Sequence, residues 1–238
     1  MNAYILLGGY GTRVSHITKG THKSMLEFGD KPFLQYLVEH LRSQKITNLF
    51  FCVGDDCIDI KSYFGNGKKL GVTINYSFLP SSYETETRTS HAINEYRQKE
   101  PFLLCYGDTL LPINIEKMQI AFTEHRTHTK STVCMAVGTH PDYKNNLLIA
   151  QDDAITYTLC KPNALEFGMN IVSPTIFPKS LADVLTVSTS SQPNRPISSK
   201  FDDEMKQGNV YAYHTDTLFY EVGSEHGIKI FAEKHNTV

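Results

Sequence analysis

A short apolar run, Tyr4-Ile5-Leu6-Leu7, leads into Gly8-Gly9-Tyr10-Gly11-Thr12-Arg13, and a lysine follows in Thr21-His22-Lys23-Ser24-Met25. Gly8, Gly9 and Gly11 lack a Cβ, so backbone N–H groups there can approach a ligand closely. Such a loop can cradle phosphates, and Arg13 and Lys23 add two cations for the same anion. The plainer alternative is a tight turn with surface charges nearby, because glycine-rich turns mark loops generally. The paired cations favour phosphate.

Asp108 follows the apolar run Phe102-Leu103-Leu104-Cys105-Tyr106 and Gly107. If that run is a parallel strand, Asp108 stands at its carboxyl end, where ligands bind in open α/β sheets. A carboxylate beside a phosphate loop suits Mg²⁺, which takes few protein oxygens and fills its shell with water and substrate phosphates. Glu221, in Tyr220-Glu221-Val222-Gly223-Ser224, is the candidate second ligand. Asp108 alone could cap a turn, and Glu221 alone could be a surface residue. Lys161, before Pro162, is a further cation in extended backbone, since proline restricts the residue preceding it. The histidines show no metal-ligand spacing with cysteine or acid. His16 lies near the glycine loop with no partner evident in the sequence.

Elements that could position these residues follow from hydrophobic periodicity. Strands are expected at Tyr4–Leu7, Leu49–Val53, Val72–Phe78, Phe102–Tyr106, Ser131–Val137, Phe167–Val172 and Val210–His214, with two short ones between Leu147 and Cys160. Helices are expected from Pro32, where proline is tolerated in the first turn. Others are expected at Ile58–Phe64, Ser90–Gln98, Ile115–His128, Pro178–Val187 and Phe201–Gln207. The serine- and proline-bearing stretch Ser188–Pro196 reads as a loop. The alternation of strands and helices up to Asp108 is the signature of βαβ units. The expected fold class is therefore α/β: one Rossmann-like, mixed, mostly parallel sheet flanked by helices. Residues 1–238 read as a single domain.

Composition sets the class. A chain of 238 residues with a net charge of −2 can bury a substantial core and shows no basic face for nucleic acid. No apolar run approaches the roughly 20 residues that span a bilayer. The N-terminal stretch lacks the basic region of a signal peptide. Cys52, Cys57, Cys105, Cys134 and Cys160 are odd in number and lack CxxC spacing, as expected of buried thiols in a reducing compartment. The expectation is a soluble cytoplasmic protein without nucleic-acid or membrane partners.

Two nucleotide-binding motifs fail. Gly9-Tyr10-Gly11-Thr12-Arg13-Val14 lacks the third glycine of the dinucleotide fingerprint, and no acidic residue ends a strand about 20 residues on. No Gly-Lys-Ser/Thr follows the turn, as a Walker loop requires. The set that remains resembles the sugar-1-phosphate nucleotidyltransferases, whose hallmark reads roughly Leu-Ala-Gly-Gly-x-Gly-Thr-Arg, then Pro-Lys-x-Met. It stands here as Leu6-Leu7-Gly8-Gly9-Tyr10-Gly11-Thr12-Arg13 and His22-Lys23-Ser24-Met25, followed by Gly29-Asp30-Lys31-Pro32. Tyr106-Gly107-Asp108 is similar to the family's metal aspartate, Lys161-Pro162 to its Glu-Lys-Pro, Phe167-Gly168-Met169 to its sugar-site glycine, and Glu221-Val222-Gly223-Ser224 to its Asp-Ile-Gly-Thr.

The resemblance implies an enzyme converting NTP and sugar 1-phosphate to NDP-sugar and pyrophosphate, for surface-polysaccharide precursors. It implies Arg13 and Lys23 as catalytic cations, with Leu6, Gly8, Gly9, Gly11, Thr12, Arg13, Arg88, Thr89 and Ser90 around the nucleotide. Lys161, Gly168 and Asn170 would hold the sugar phosphate, and Asp108 and Glu221 would hold Mg²⁺, so that 1–110 would be the nucleotide-binding part and 111–238 the sugar-phosphate-binding part. Homo-oligomers occur among such proteins. The chain departs from the pattern in four places. His22 replaces proline, Cys160 replaces glutamate and Glu221 replaces aspartate. Glu84-Thr85-Glu86-Thr87-Arg88-Thr89-Ser90-His91 replaces a glycine-rich segment beside the base, so Arg88 and His91 are expected to fill that space. Thr87-Arg88-Thr89 resembles glucose-1-phosphate cytidylyltransferases. The Glu221–Ser224 motif and the compact length resemble mannose- and heptose-1-phosphate guanylyltransferases, which are preferred. A non-catalytic nucleotide-sugar-binding relative is the alternative from another class. A glycosyltransferase would need an Asp-x-Asp that Asp108-Thr109-Leu110 lacks.

Overall fold

A computed structural model describes residues 1–8, 12–54, 57–138, 165–180 and 197–235. Seven strands form one sheet in the order β10-β8-β9-β6-β1-β4-β5. These are β1 (Ala3–Leu7), β4 (Asn48–Val53), β5 (Thr73–Phe78), β6 (Phe102–Tyr106), β8 (Val133–Gly138), β9 (Leu165–Val172) and β10 (Val210–His214). All neighbours are parallel except β9, which runs antiparallel to both β6 and β8. The expected mixed, mostly parallel sheet is present.

Side chains along a strand point alternately to its two faces, and here each face has its own core. Ala3, Ile5 and Leu7 of β1, with Leu49, Phe51 and Val53 of β4, meet Phe33, Leu34, Leu37, Val38 and Leu41 of α2 (Phe33–Ser43). Tyr4, Leu6, Phe50 and Cys52 point the other way, toward Ala92 and Ile93 of α4 (Thr85–Glu95) and Phe201 and Met205 of α6 (Ile197–Lys206). All five residues of β1 are buried, as a central parallel strand requires.

The remaining elements are α1 (Ser15–Thr18), β2 (Glu27–Phe28), β3 (Lys31–Pro32), α3 (Ile58–Phe64), β7 (Thr109–Leu110), α5 (Ile115–Arg126), β11 (Tyr220–Glu221) and α7 (Glu225–Lys234), of which α3, α5 and α7 add Ile60, Phe64, Ile115, Met118, Phe122 and Phe231 to the α2 side of the core. Phe231 of α7 packs edge-on against Phe28, Phe33, Tyr36 and Tyr220. That aromatic cluster seats α7, and with it the segment 221–224, beside α2.

Two helices begin earlier than expected. The one placed at Ser90–Gln98 runs from Thr85 to Glu95, and the one placed at Phe201–Gln207 runs from Ile197 to Lys206. In the first, a glycine-rich family segment masked the helix. Here Thr85 to Ile93 contains no glycine and propagates freely, and Arg97 in the left-handed region (φ 51°) ends the chain's helical path. Residues 178–180 are not helical. The rest of the expected Pro178–Val187 helix, the Leu147–Cys160 strands and the Ser188–Pro196 loop lie outside the described residues.

Candidate active site

The chain runs β1, then β4 and β5 on one side, then returns to β6 on the other side of β1. The crevice between the carboxyl ends of β1 and β6 is thus the switch point, where α/β sheets take ligands. Leu6 pairs with Tyr106, so both strands end level, leaving Gly8 and Asp108 as neighbours across the crevice. Gly107 makes this approach close. Its N–H donates to the Leu6 carbonyl at 2.9 Å, and a Cβ there would collide with the Leu7 side chain.

Asp108 Oδ2 is ion-paired with Lys23 Nζ. Lys23 opens a short 3₁₀ turn, and His22 is its cap: the Nδ1 atom accepts from the Ser24 N–H at 3.3 Å, with His22 at φ −61°. Proline's own φ is close to that value. Histidine therefore keeps the backbone path that the family's proline sets and adds a capping acceptor.

Glu221 reaches the same place from the other end of the sequence. It pairs with Thr109 across the β7–β11 ribbon, and the Val222 N–H donates to the Asp108 carbonyl at 2.9 Å. One carboxylate oxygen, Oε2, accepts from the Gly223 N–H, and the other, Oε1, from the Ser224 hydroxyl. Ser224 also caps α7, accepting from the Gly227 N–H at 3.0 Å. A Cβ on Gly223 would lie 3.1 Å from Glu221 Oε2, 3.2 Å from Asp108 Oδ2 and 3.7 Å from Arg13 Nη2. The two carboxylates and the arginine therefore face one small space that only glycine leaves open. The donors are hard oxygens with nearby cations, a set that fits a small divalent cation bridging to phosphate.

Gly168 has φ +66° and lies against Tyr106 and Thr109, at the rim of this space. Asn170 is deeper: it is fully buried in β9, paired with Leu104 and Met135. Gly9, Gly11 and Lys161 lie outside the described residues.

The segment expected beside the base is helical from Thr85, and Thr87, Arg88, Thr89 and Ser90 are buried. Arg88 is 3 % exposed, and its guanidinium donates to three backbone carbonyls. The Thr89 hydroxyl donates to the Thr85 carbonyl at 2.7 Å, and Ser90 is buried. His91 Nδ1 meets the Ser77 hydroxyl at 3.0 Å, on the outer strand β5. Burial pushes the Cys52 thiol up to about 12, with the Arg88 charge acting in the opposite sense.

Sequence reasoning missed several contributors. Ser224 and Gly223 were quoted within a motif but given no role. His16, which showed no partner, is 2.9 Å from Glu225 and links α1 to the start of α7. No sequence signal pairs residues so far apart; the contact follows from the α7 packing. Gly107 could have been recognised, since a glycine ending a buried strand marks close backbone approach.

The nucleotidyl transferase family model matches residues 2–225. The chain is 31 % identical over 143 residues to the D-glycero-α-D-manno-heptose 1-phosphate guanylyltransferase of Campylobacter jejuni, an alignment covering 60 % of each chain. It is 32 % identical over 118 residues to the enzyme of the same name from Aneurinibacillus thermoaerophilus, covering half of each. These alignments thus span less than two thirds of either relative. Among solved structures, HddC from Yersinia pseudotuberculosis superposes with a TM-score of 0.77 at 18 % identity, covering 98 % of both chains.

Proposed function

Because the chain belongs to the nucleotidyl transferase family, we propose that it joins an NTP to a sugar 1-phosphate, releasing pyrophosphate. The observation that carries this reading is the convergence of Arg13, Asp108 and Glu221 on the space beside Gly223, with Lys23 paired to Asp108. The sugar phosphate oxygen forms a bond to the α-phosphorus as the bond to the β-phosphate breaks, and the electron pair leaves with pyrophosphate. No covalent enzyme intermediate is needed, so positioning and charge neutralisation carry the rate.

In this reading the backbone of Gly8, Gly9, Gly11 and Thr12 cradles the nucleotide, with Leu6 beneath it. Arg13 and Lys23 balance charge on the phosphates and on departing pyrophosphate. Lys161 grips the sugar phosphate, and Gly168 and Asn170 form the sugar side. Asp108 and Glu221 hold Mg²⁺, which when bound supplies further charge neutralisation at the phosphates. Ser224 and the Gly223 N–H orient the Glu221 carboxylate. The two guanylyltransferase relatives favour GTP with a mannose- or heptose-type sugar 1-phosphate, and the work belongs in the cytoplasm as a step toward polysaccharide.

The test is pyrophosphate release with Mg²⁺, each of the four NTPs and a panel of sugar 1-phosphates. GTP with a manno-configured sugar phosphate should turn over fastest. Silence with every pair, in protein that binds NTP, would favour a non-catalytic sensor and sink the proposal.

A further inference from the structure

Among the described residues, Arg88 is the one buried guanidinium, and the reaction above does not use its surroundings. It projects from the first turns of α4 and is 3 % exposed. Its Nε donates to the Tyr83 carbonyl at 2.8 Å, Nη1 to Leu79 at 3.2 Å and Nη2 to Pro80 at 3.2 Å. These three carbonyls belong to the loop that leaves β5 at the ligand edge of the sheet. The guanidinium also lies across Gly8: a Cβ there would be 2.6 Å from Cζ, 2.6 Å from Nη1 and 2.7 Å from Nε.

A buried cation is costly unless it is paired. Among the described residues, Arg88 meets neutral carbonyls and no carboxylate forms an ion pair with it. Nothing in the packing of α4 demands a charge at this point, since its neighbours Ala92 and Ile93 already bury the helix face. What the guanidinium does is join two loops. Its rigid planar fork presents separate donors to three acceptors, whereas a lysine ammonium places its three donors on one compact, rotating centre and an apolar side chain has none. The joined parts are Gly8, where the glycine loop begins, and residues 79–83, which rise on the other side of β4.

We infer that Arg88 is a positioning residue that sets the width of the nucleotide cleft by clamping the 79–83 loop against Gly8. This deepens the nucleotidyltransferase reading and rests on it. Here the segment begins a helix that contains no glycine from Thr85 to Ile93, and the clamp fixes this wall of the cleft. The clamp occupies the position that a Cβ on Gly8 would take. The two residues are therefore one device, and the nucleotide is the ligand whose binding depends on it. The sugar phosphate, on the Gly168 side of the crevice, does not.

The experiment compares GTP binding by calorimetry, and KM for GTP and for sugar 1-phosphate, in the wild type, Arg88→Lys, Arg88→Ser, Gly8→Ala and the Gly8→Ala/Arg88→Ser double variant. Circular dichroism at the assay temperature establishes that each is folded. A lost multidentate anchor corresponds to about tenfold or more weaker GTP binding. Arg88→Lys and Arg88→Ser should both show this, with the KM for sugar 1-phosphate unchanged. Gly8→Ala should weaken GTP binding strongly in the wild-type background and by less than about threefold when Arg88 is already Ser, because coupled residues are non-additive. Arg88→Lys with wild-type affinity would instead mark Arg88 as a simple cation for the phosphates and overturn the inference. So would additive single effects, or variants that lose thermal stability while keeping GTP affinity. If Arg88→Ser fails to fold, Arg88→Lys and Gly8→Ala still decide through the split between the two KM values. A wild type that binds no NTP at all overturns the nucleotidyltransferase reading itself, and this inference with it.

Discussion

Lys23 Nζ and Asp108 Oδ2, 85 residues apart in sequence, form an ion pair at the crevice between β1 and β6. The same oxygen faces the space beside Gly223 that Glu221 and Arg13 also face. An ammonium on that oxygen competes with any metal ion for it. Lys23→Met should therefore tighten Mn²⁺ binding to the nucleotide-free protein, measured by electron paramagnetic resonance. It should also lower turnover by about a hundredfold, the scale for losing one preorganised charge in a phosphoryl-transfer site. Unchanged or weaker Mn²⁺ binding would mean that the pair does not control access to Asp108.

Gly223→Ala places a methyl 3.1 Å from Glu221 Oε2 and 3.2 Å from Asp108 Oδ2. Both carboxylates must give by a few tenths of an ångström, and because about 1 Å of misplacement costs on the order of a hundredfold in rate, kcat should fall by roughly several-fold to tenfold. The melting temperature should change little, because the groups that must shift are two side-chain carboxylates at the site rather than core packing. A variant with wild-type kcat would show that this space is not where reaction occurs.

Ser224 links fold and site, since its oxygen caps α7 while its proton goes to Glu221. Ser224→Ala should cost about 1 kcal/mol as a lost N-cap, which in a chain of this size is a melting shift of about 2–4 °C. Activity should fall as well, because Glu221 loses an orienting donor. Ser224→Thr keeps the hydroxyl and should restore both quantities; failure of both would remove the capping explanation.

His40 supplies a pH dependence. Burial lowers its pKa below the ordinary imidazole value of 6.5, and its Nε2 has no hydrogen-bond partner among the described residues. A group with a depressed folded pKa contributes stability that is present above the unfolded pKa and lost as pH falls through the folded one. Melting temperatures should therefore decline as pH is lowered from about 6.5. His40→Leu should flatten that decline, as read by thermal scans from pH 7 to 5. An identical slope in the variant would place the acid sensitivity elsewhere.

Much of this arrangement was legible in the sequence. The run Tyr4–Leu7, the glycines after it and the apolar face of Phe33, Leu34, Leu37, Val38 and Leu41 announced a buried strand, a ligand loop and a packed helix. Each is a local pattern with one physical solution. Asp108 was legible because a carboxylate after a continuous apolar strand stands at the sheet's ligand edge. Residues 84–91 were not, because their role is set by where Arg88 reaches, across to Gly8 and to carbonyls on another loop. His16 and Glu225 meet for a similar reason, as α7 is seated by Phe231 among aromatics from three other elements. His22 shows a subtler limit. It read as a departure, yet its φ of −61° and its Nδ1 cap preserve the turn that presents Lys23.

The central claim is that the Asp108 cluster performs nucleotidyl transfer, and pyrophosphate release by the wild type and Asp108→Asn tests it side by side. Both would be assayed with GTP, Mg²⁺ and a manno-configured sugar 1-phosphate, after circular dichroism shows the same fold. The wild type should turn over, and Asp108→Asn should fall by on the order of a thousandfold, since a neutral amide cannot replace the carboxylate's charge at the transition state. Asp108→Asn releasing pyrophosphate at the wild-type rate would contradict the account.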